Sequence, residues 1–191
     1  KKGWTIAGIN MLDRYGCSCL ETAIDTNDAD FVKFVLDQGA DVNYVNYIRA
    51  YGLTHFYHAC SNGNLEIVKL ISTLCNAEHY TLVCVSTKPI ECAARKGFVK
   101  IVQYLHEELK SNLYDSLWWT VSEGWIDVVE YLLSVAELNL DDQPNNPLEL
   151  ACVYGKIDIV ERILGKNVDL TSFRMRDKTY IIIAAISGYL D

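Results

Sequence analysis

The chain has 191 residues, half of them hydrophobic and 22% charged, with three prolines and a net charge of −8. That length suffices for one good core, and the acidic balance argues against non-specific nucleic-acid binding, which needs a basic footprint. The strongest apolar run, Tyr180–Ile186, is far too short to span a bilayer, and the first residues show no signal-peptide pattern.

Taken in chain order, one landmark recurs: a small pair, two variable residues, a glycine, then a helix with a β-branched or apolar stripe. It appears as AIDTNDADFVKFVL (23–36), ACSNGNLEIVKLI (59–71), AARKGFVKIVQYL (93–105), TVSEGWIDVVEYLL (120–133), ACVYGKIDIVERIL (151–164) and AAISGYLD (184–191). The landmark positions are Asn27, Gly63, Gly97, Gly124, Gly155 and Gly188. Each is expected to be left-handed, where glycine is strain-free and asparagine is tolerated better than most residues. The clearest copy is Lys88–Leu105. There Ile90, Ala93 and Ala94 share a helical face, and Ile101, Val102 and Leu105 form a second stripe beyond Gly97. Neither helix can bury its stripe alone, so the copies must stack.

This pattern resembles the ankyrin-repeat family, whose unit of about 33 residues opens on TPLHxA and folds as a β-turn and two antiparallel helices. Pro89-Ile90 and Pro147-Leu148 keep the proline–apolar pair, and Thr54 and Thr179 keep the threonine. Gly39-Ala40-Asp41-Val42-Asn43 matches the loop after the second helix, and Gly16 the following turn. The family's histidine is replaced by Glu21, Tyr57, Glu91, Trp118, Glu149 and Ile182, so its hydrogen bonds must be made otherwise. The resemblance implies an all-α ankyrin-repeat solenoid of stacked helix–turn–helix units with short β-turn fingers. The whole of 1–191 is expected to be a single domain. Its repeats run over about 13–43, 49–79, 83–110, 111–140 and 141–171, with a truncated one at 174–191. Ala7-Gly8-Ile9-Asn10 reads as a closing loop, making 1–12 the tail of a preceding repeat and the chain a fragment of a longer array. Three residues are added in the aromatic loop Tyr44–Tyr51, and six are missing between the third and fourth copies. A shortened or absent finger is therefore expected at 106–114.

Seven cysteines are odd in number and lack CxxC spacing, and Cys60 and Cys152 fall at alanine positions of the repeat. They read as buried, reduced residues, which favours the cytoplasm or another reducing intracellular compartment. Enzyme chemistry needs a nucleophile, a base and a stabiliser converging on a pocket, and no such set is evident. His55, His58 and Cys60 could be read as a metal cluster. Their repeat positions favour core packing instead, so no catalytic, cofactor or metal site is expected. Cys17 sits at a turn position expected to be exposed.

By resemblance, partners bind at the turn fingers and the exposed ends of the inner helices, on the concave face. Carried onto this sequence, the candidate partner-binding residues are Arg14, Tyr15, Tyr51, Leu53, Asn62, Arg95, Lys96, Tyr114, Trp118, Glu123 and Tyr154. Trp118-Trp119 either fills volume left by the short finger or anchors a partner, with one indole buried and the other presented. Net charge runs −5 over 13–43, +2 over 86–110 and −8 over 111–171, which reads equally as partner selection or as solvated helix faces. The expected function is a monomeric, non-catalytic protein–protein interaction module or scaffold, binding neither nucleic acid nor membrane. The alternative is a substrate-recruiting or regulatory array within a larger enzyme or effector polypeptide.

Overall fold

The computed structural model describes residues 6–47, 53–80, 87–113, 116–135 and 147–165. Expectations that fall on Tyr51, Tyr114 and the sixth copy, with Gly188, lie outside the described residues, as does the side chain of Leu53. The helices are α1 (Ile6–Ile9), α2 (Cys19–Asp25), α3 (Ala29–Asp37), α4 (His55–Asn62), α5 (Leu65–Ser72) and α6 (Pro89–Arg95). They continue with α7 (Val99–Glu107), α8 (Ser116–Glu123), α9 (Ile126–Val135), α10 (Pro147–Val153) and α11 (Ile157–Leu164). From α2 onward they form the pairs that the landmark spacing predicts. Asn27, Gly63, Gly97, Gly124 and Gly155 all have positive φ, between 60° and 93°. The left-handed residue ends each first helix and reverses the chain into the second.

Local chemistry starts the helices where the copies begin. Ser18 caps α2 in a reciprocal box: its hydroxyl accepts from the Glu21 amide, and the Glu21 carboxylate accepts from the Ser18 amide at 2.7 Å. Thr54, Asp28 and Asn64 cap α4, α3 and α5 with side-chain oxygens. Glu21 and Glu91 thus do part of what the missing histidine would do. The Glu91 carboxylate accepts from the Lys88 amide at 3.2 Å, and buried Glu21 also takes the Asn46 amide at 2.9 Å.

The described chain forms two compact units: residues 1–93 with 100–112, and 94–99 with 113–191. The pair α6/α7 therefore gives its turn, 94–99, to the second unit and its remainder to the first. In the first unit, Leu20, Ile24, Val32, Phe56, Ala59, Ile67, Ile71, Ile90, Ile101 and Leu105 are buried. A two-residue antiparallel ribbon precedes α4, with β1 (Val45–Asn46) paired to β2 (Leu53–Thr54), Val45 opposite Thr54. In the second unit, Val121, Val128, Val129, Leu132, Leu148, Ala151, Ile159 and Ile163 are buried.

Two places depart from the regular repeat. Only residues 108–115 link α7 to α8, against 38–54 between α3 and α4, so the short connection expected there is present. It turns through Lys110, a non-glycine residue at φ 55°, and the Ser111 amide closes it onto the Leu105 carbonyl at 2.9 Å. Second, Gly8 lies inside the one-turn helix α1 and does not make a left-handed loop as Gly39 does. Asn10 nevertheless acts as a closing-loop asparagine. Its amide donates to the Gly39 carbonyl at 3.1 Å and its oxygen accepts from the Asp41 amide at 2.7 Å. Asn43 repeats the second of these bonds with the Asn76 amide.

Candidate partner-binding site

The first helix of each pair ends at its left-handed residue, and the side chains just before that point are where neighbouring pairs meet. In the second unit four of them form a continuous run. The Arg95 guanidinium lies 4.5 Å above the Trp119 ring centre. Trp119 meets Trp118 edge to face, with centroids 4.5 Å apart and planes at 90°. Trp118 in turn meets Tyr154 edge to face at 6.0 Å and 86°. Glu123 completes the group, its Oε1 3.6 Å from Arg95 Nε. Both indoles are half-buried, so the expectation of one buried and one presented is corrected: each covers part of the other, and neither reaches the core. Edge-to-face pairing places the positive rim of one ring on the negative face of the next, and a guanidinium over an indole face uses the same quadrupole.

A second contact crosses this group from behind. The Trp125 indole N–H donates to the Arg95 carbonyl at 2.7 Å. A Cβ built on Gly97 would stand 2.5 Å from Trp125 Cδ2. The glycine is therefore required twice, by its φ of 78° and by the indole lying on it. The same stitch recurs with other chemistry. The Asn64 amide reaches the Asn27 carbonyl at 3.1 Å, and Lys156 Nζ reaches the Glu123 carbonyl at 3.3 Å. In each case the residue after one landmark satisfies a carbonyl at the previous landmark or within two residues before it, where a helix end leaves acceptors open.

The repeat geometry on which these contacts rest is matched by family models. The model described as Ankyrin repeats (3 copies) matches residues 90–174, and the model Ankyrin repeat matches residues 15–47. The chain is an ankyrin-repeat protein. Residues 53–80, outside both matches, carry the pair α4/α5 with the same left-handed end at Gly63. Among solved structures, the ankyrin repeat domain of human ASB11 is similar in fold, with a TM-score of 0.74 at 20% identity. The likeness covers 92% of this chain and 80% of that one. No curated protein matches the sequence significantly.

The remaining candidates on this ankyrin scaffold divide by unit. In the second, Arg95, Lys96, Glu123 and Tyr154 are exposed. In the first, Tyr15 is 62% exposed, with the Arg14 guanidinium 4.6 Å over its own ring. Asn62 is half-buried, and its amide is committed to the fold, donating to the Ile24 carbonyl at 2.7 Å. Cys17, expected to be exposed, is half-buried, and its amide donates to the Asp13 carboxylate at 2.8 Å. Leu53 contributes its backbone to the ribbon.

The histidines are absorbed into packing. His55 is 2% exposed. Its Nδ1–H donates to the Val42 carbonyl at 3.2 Å, and its Nε2 accepts from the Ser18 hydroxyl at 2.8 Å. That tautomer follows because a carbonyl can only accept. Burial lowers the His55 pKa from the usual 6.5, with the Val42 hydrogen bond acting in the opposite direction. His58 Nε2 donates to Asp25 at 2.8 Å. Burial raises the Cys60 thiol well above its usual range, Cys75 to about 11, and Cys152 in the same direction. Such thiols stay protonated and behave as small apolar groups. Among the described residues no cluster of three His, Cys, Asp or Glu side chains is placed to hold a metal ion, and no helix is long and apolar enough to cross a membrane.

Sequence reasoning missed Trp125. The signal was present: it follows Gly124 directly, at the position that Asn64 and Lys156 hold in their copies.

Proposed function

We propose that the chain is a non-catalytic module that binds a protein partner through the run Arg95–Trp119–Trp118–Tyr154, with the Arg14–Tyr15 finger as a further contact. Ankyrin repeats are in general protein–protein interaction modules, and the carrying observation is the state of the two tryptophans. Indoles needed only to fill volume beside a short connection would be sunk in the core. These two are half-exposed, set edge to face against each other and flanked by exposed Arg95 and Tyr154. Aromatic side chains of this kind are among those that dominate binding energy at interfaces. The buried thiols suit work in a reducing compartment such as the cytoplasm.

The test is affinity capture from cell extract, read by quantitative mass spectrometry. Wild type is compared with Trp118→Ala/Tyr154→Ala and with the control Asp127→Ala/Asp158→Ala on exposed positions of α9 and α11. Proteins held by wild type and control should be lost from the aromatic variant. Equal retention by all three refutes the assignment.

A further inference from the structure

The run just described contains a cation site that is already filled from within the chain. Trp119 offers a ring face, Glu123 a carboxylate, and Arg95 lies on both, at 4.5 Å and 3.6 Å. An indole face beside a carboxylate is suited to a planar guanidinium, which can stack and donate at once, more than to a compact ammonium. Arg95 and Glu123 are each about half exposed, at 51% and 44%. Their contact is therefore a surface one that solvent can open, and exposed ion pairs of this sort hold weakly.

The charge of the surroundings says what would replace Arg95. Among the described residues of the second unit, Glu123, Asp127, Glu130, Glu149, Asp158 and Glu161 are acidic, against Arg95, Lys96, Lys156 and Arg162. Besides Arg95 and its exposed neighbour Lys96, the basic residues there are Lys156 and Arg162, which lie against the Glu123 carbonyl and the Glu130 carboxylate respectively. Trp118 and Tyr154, themselves edge to face, continue the aromatic run from Trp119. A field of this sign attracts and orients a positively charged ligand.

We propose, resting on the reading above, that Arg95 is an internal stand-in for an arginine of the partner, and that the partner presents a basic, arginine-bearing segment. In the free protein Arg95 covers Trp119 and neutralises Glu123. On binding, the partner's guanidinium takes that place and Arg95 swings into solvent, leaving the second guanidinium of the segment to reach Trp118 and Tyr154. The residue that most resembles a contact is on this view a competitor, and its removal strengthens binding. A ligand that must displace a resident group binds more weakly by the fraction of time the site stands open. For a surface cation–π contact combined with an exposed ion pair that amounts to about five- to tenfold.

The experiment titrates a synthetic peptide of alternating Arg and Gly into the full chain by calorimetry. Peptides with Lys or Glu in place of Arg are titrated in parallel. Circular dichroism checks that each variant is folded. The stand-in model expects Arg95→Ala to bind the Arg peptide about five- to tenfold more tightly than wild type. It expects Glu123→Gln and Trp119→Leu to weaken that binding, and the Lys peptide to bind less well than the Arg peptide. Unchanged or weaker binding of the Arg peptide by Arg95→Ala overturns the inference. So does binding of the Glu peptide that is lost in Arg95→Ala, which would make Arg95 a direct contact for an acidic partner. Absence of Arg-peptide binding by both wild type and Arg95→Ala overturns it as well. Any of these results, combined with loss of captured proteins in Trp118→Ala/Tyr154→Ala, leaves the binding surface standing and removes only the nature of its ligand.

Discussion

At the scale of single residues, two landmark glycines with nearly the same backbone are not equivalent. Gly97 and Gly124 have φ of 78° and 93°, so any side chain at either pays the left-handed strain. A Cβ at Gly124 meets the mobile end of Lys156, with Nζ at 3.2 Å, whereas one at Gly97 is driven into the Trp125 ring at 2.5 Å. Gly97→Ala is expected to destabilise by about 2–3 kcal/mol and Gly124→Ala by about 1–2 kcal/mol, measured by urea denaturation. Adding Trp125→Ala should recover part of the Gly97→Ala loss, because the two changes act through one contact. Strict additivity would show that the indole does not lie on the glycine. That a left-handed residue was needed here was legible in the sequence, since the landmark recurs at a fixed place in each copy. That a tryptophan sealed it was not legible, because its partner is thirty positions away by hydrogen bond and unrelated in type.

At the scale of elements, His55 joins three pieces of the first unit: the start of α4, the Ser18 cap of α2 and the loop after α3 at Val42. Its ring must be neutral to accept from Ser18, and burial lowers its pKa below 6.5. Below the unfolded value the unfolded chain then binds more protons than the native one, so stability falls with acidity. The contribution is complete above about pH 6.5 and is lost progressively as pH drops from there toward the folded pKa. Among the groups near it, Glu21 and Asp41 act to raise that pKa and His58 to lower it. His55→Gln is expected to flatten the decline in thermal midpoint between about pH 7 and pH 5.5; an unaltered decline would assign it to other groups. The helix pairs, the short α7–α8 connection and the inward cysteine at 60 could all be read from spacing. The replacement of the family's histidine by Glu21 as both helix cap and Asn46 acceptor could not, because it depends on a ribbon residue twenty-five positions further along the chain. Phe31 is a further case. Its counterparts Ile67, Ile101, Val128 and Ile159 are buried, while Phe31 is 40% exposed. Periodicity assigns the face, but only packing decides whether anything lies against it.

For the whole molecule the governing quantity is charge. A chain at −8 repels acidic ligands and gathers basic ones over a distance that salt shortens, to about 8 Å at physiological strength. Affinity for the Arg peptide should accordingly fall several-fold as salt rises from about 0.05 to about 0.5 M, while a residual part carried by stacking on the indoles persists. Complete insensitivity to salt would place binding on apolar contact alone. Sequence made the sign of this field plain, since it needs only counting. The binding surface was half legible: Trp118 and Arg95 stand out separately, but nothing in the linear order shows that the guanidinium lies on the neighbouring indole.

The clustering of tryptophans has an optical consequence. Trp118, Trp119 and Trp125 all belong to the second unit, and Trp4 lies outside the described residues. Intrinsic fluorescence is thus weighted toward one unit, whereas far-ultraviolet circular dichroism sums the helices of both. The protein carries a built-in local reporter: displacement of Arg95 from Trp119 would register as a change in emission without a label, and a melt followed in the two channels would set the second unit against the sum of both.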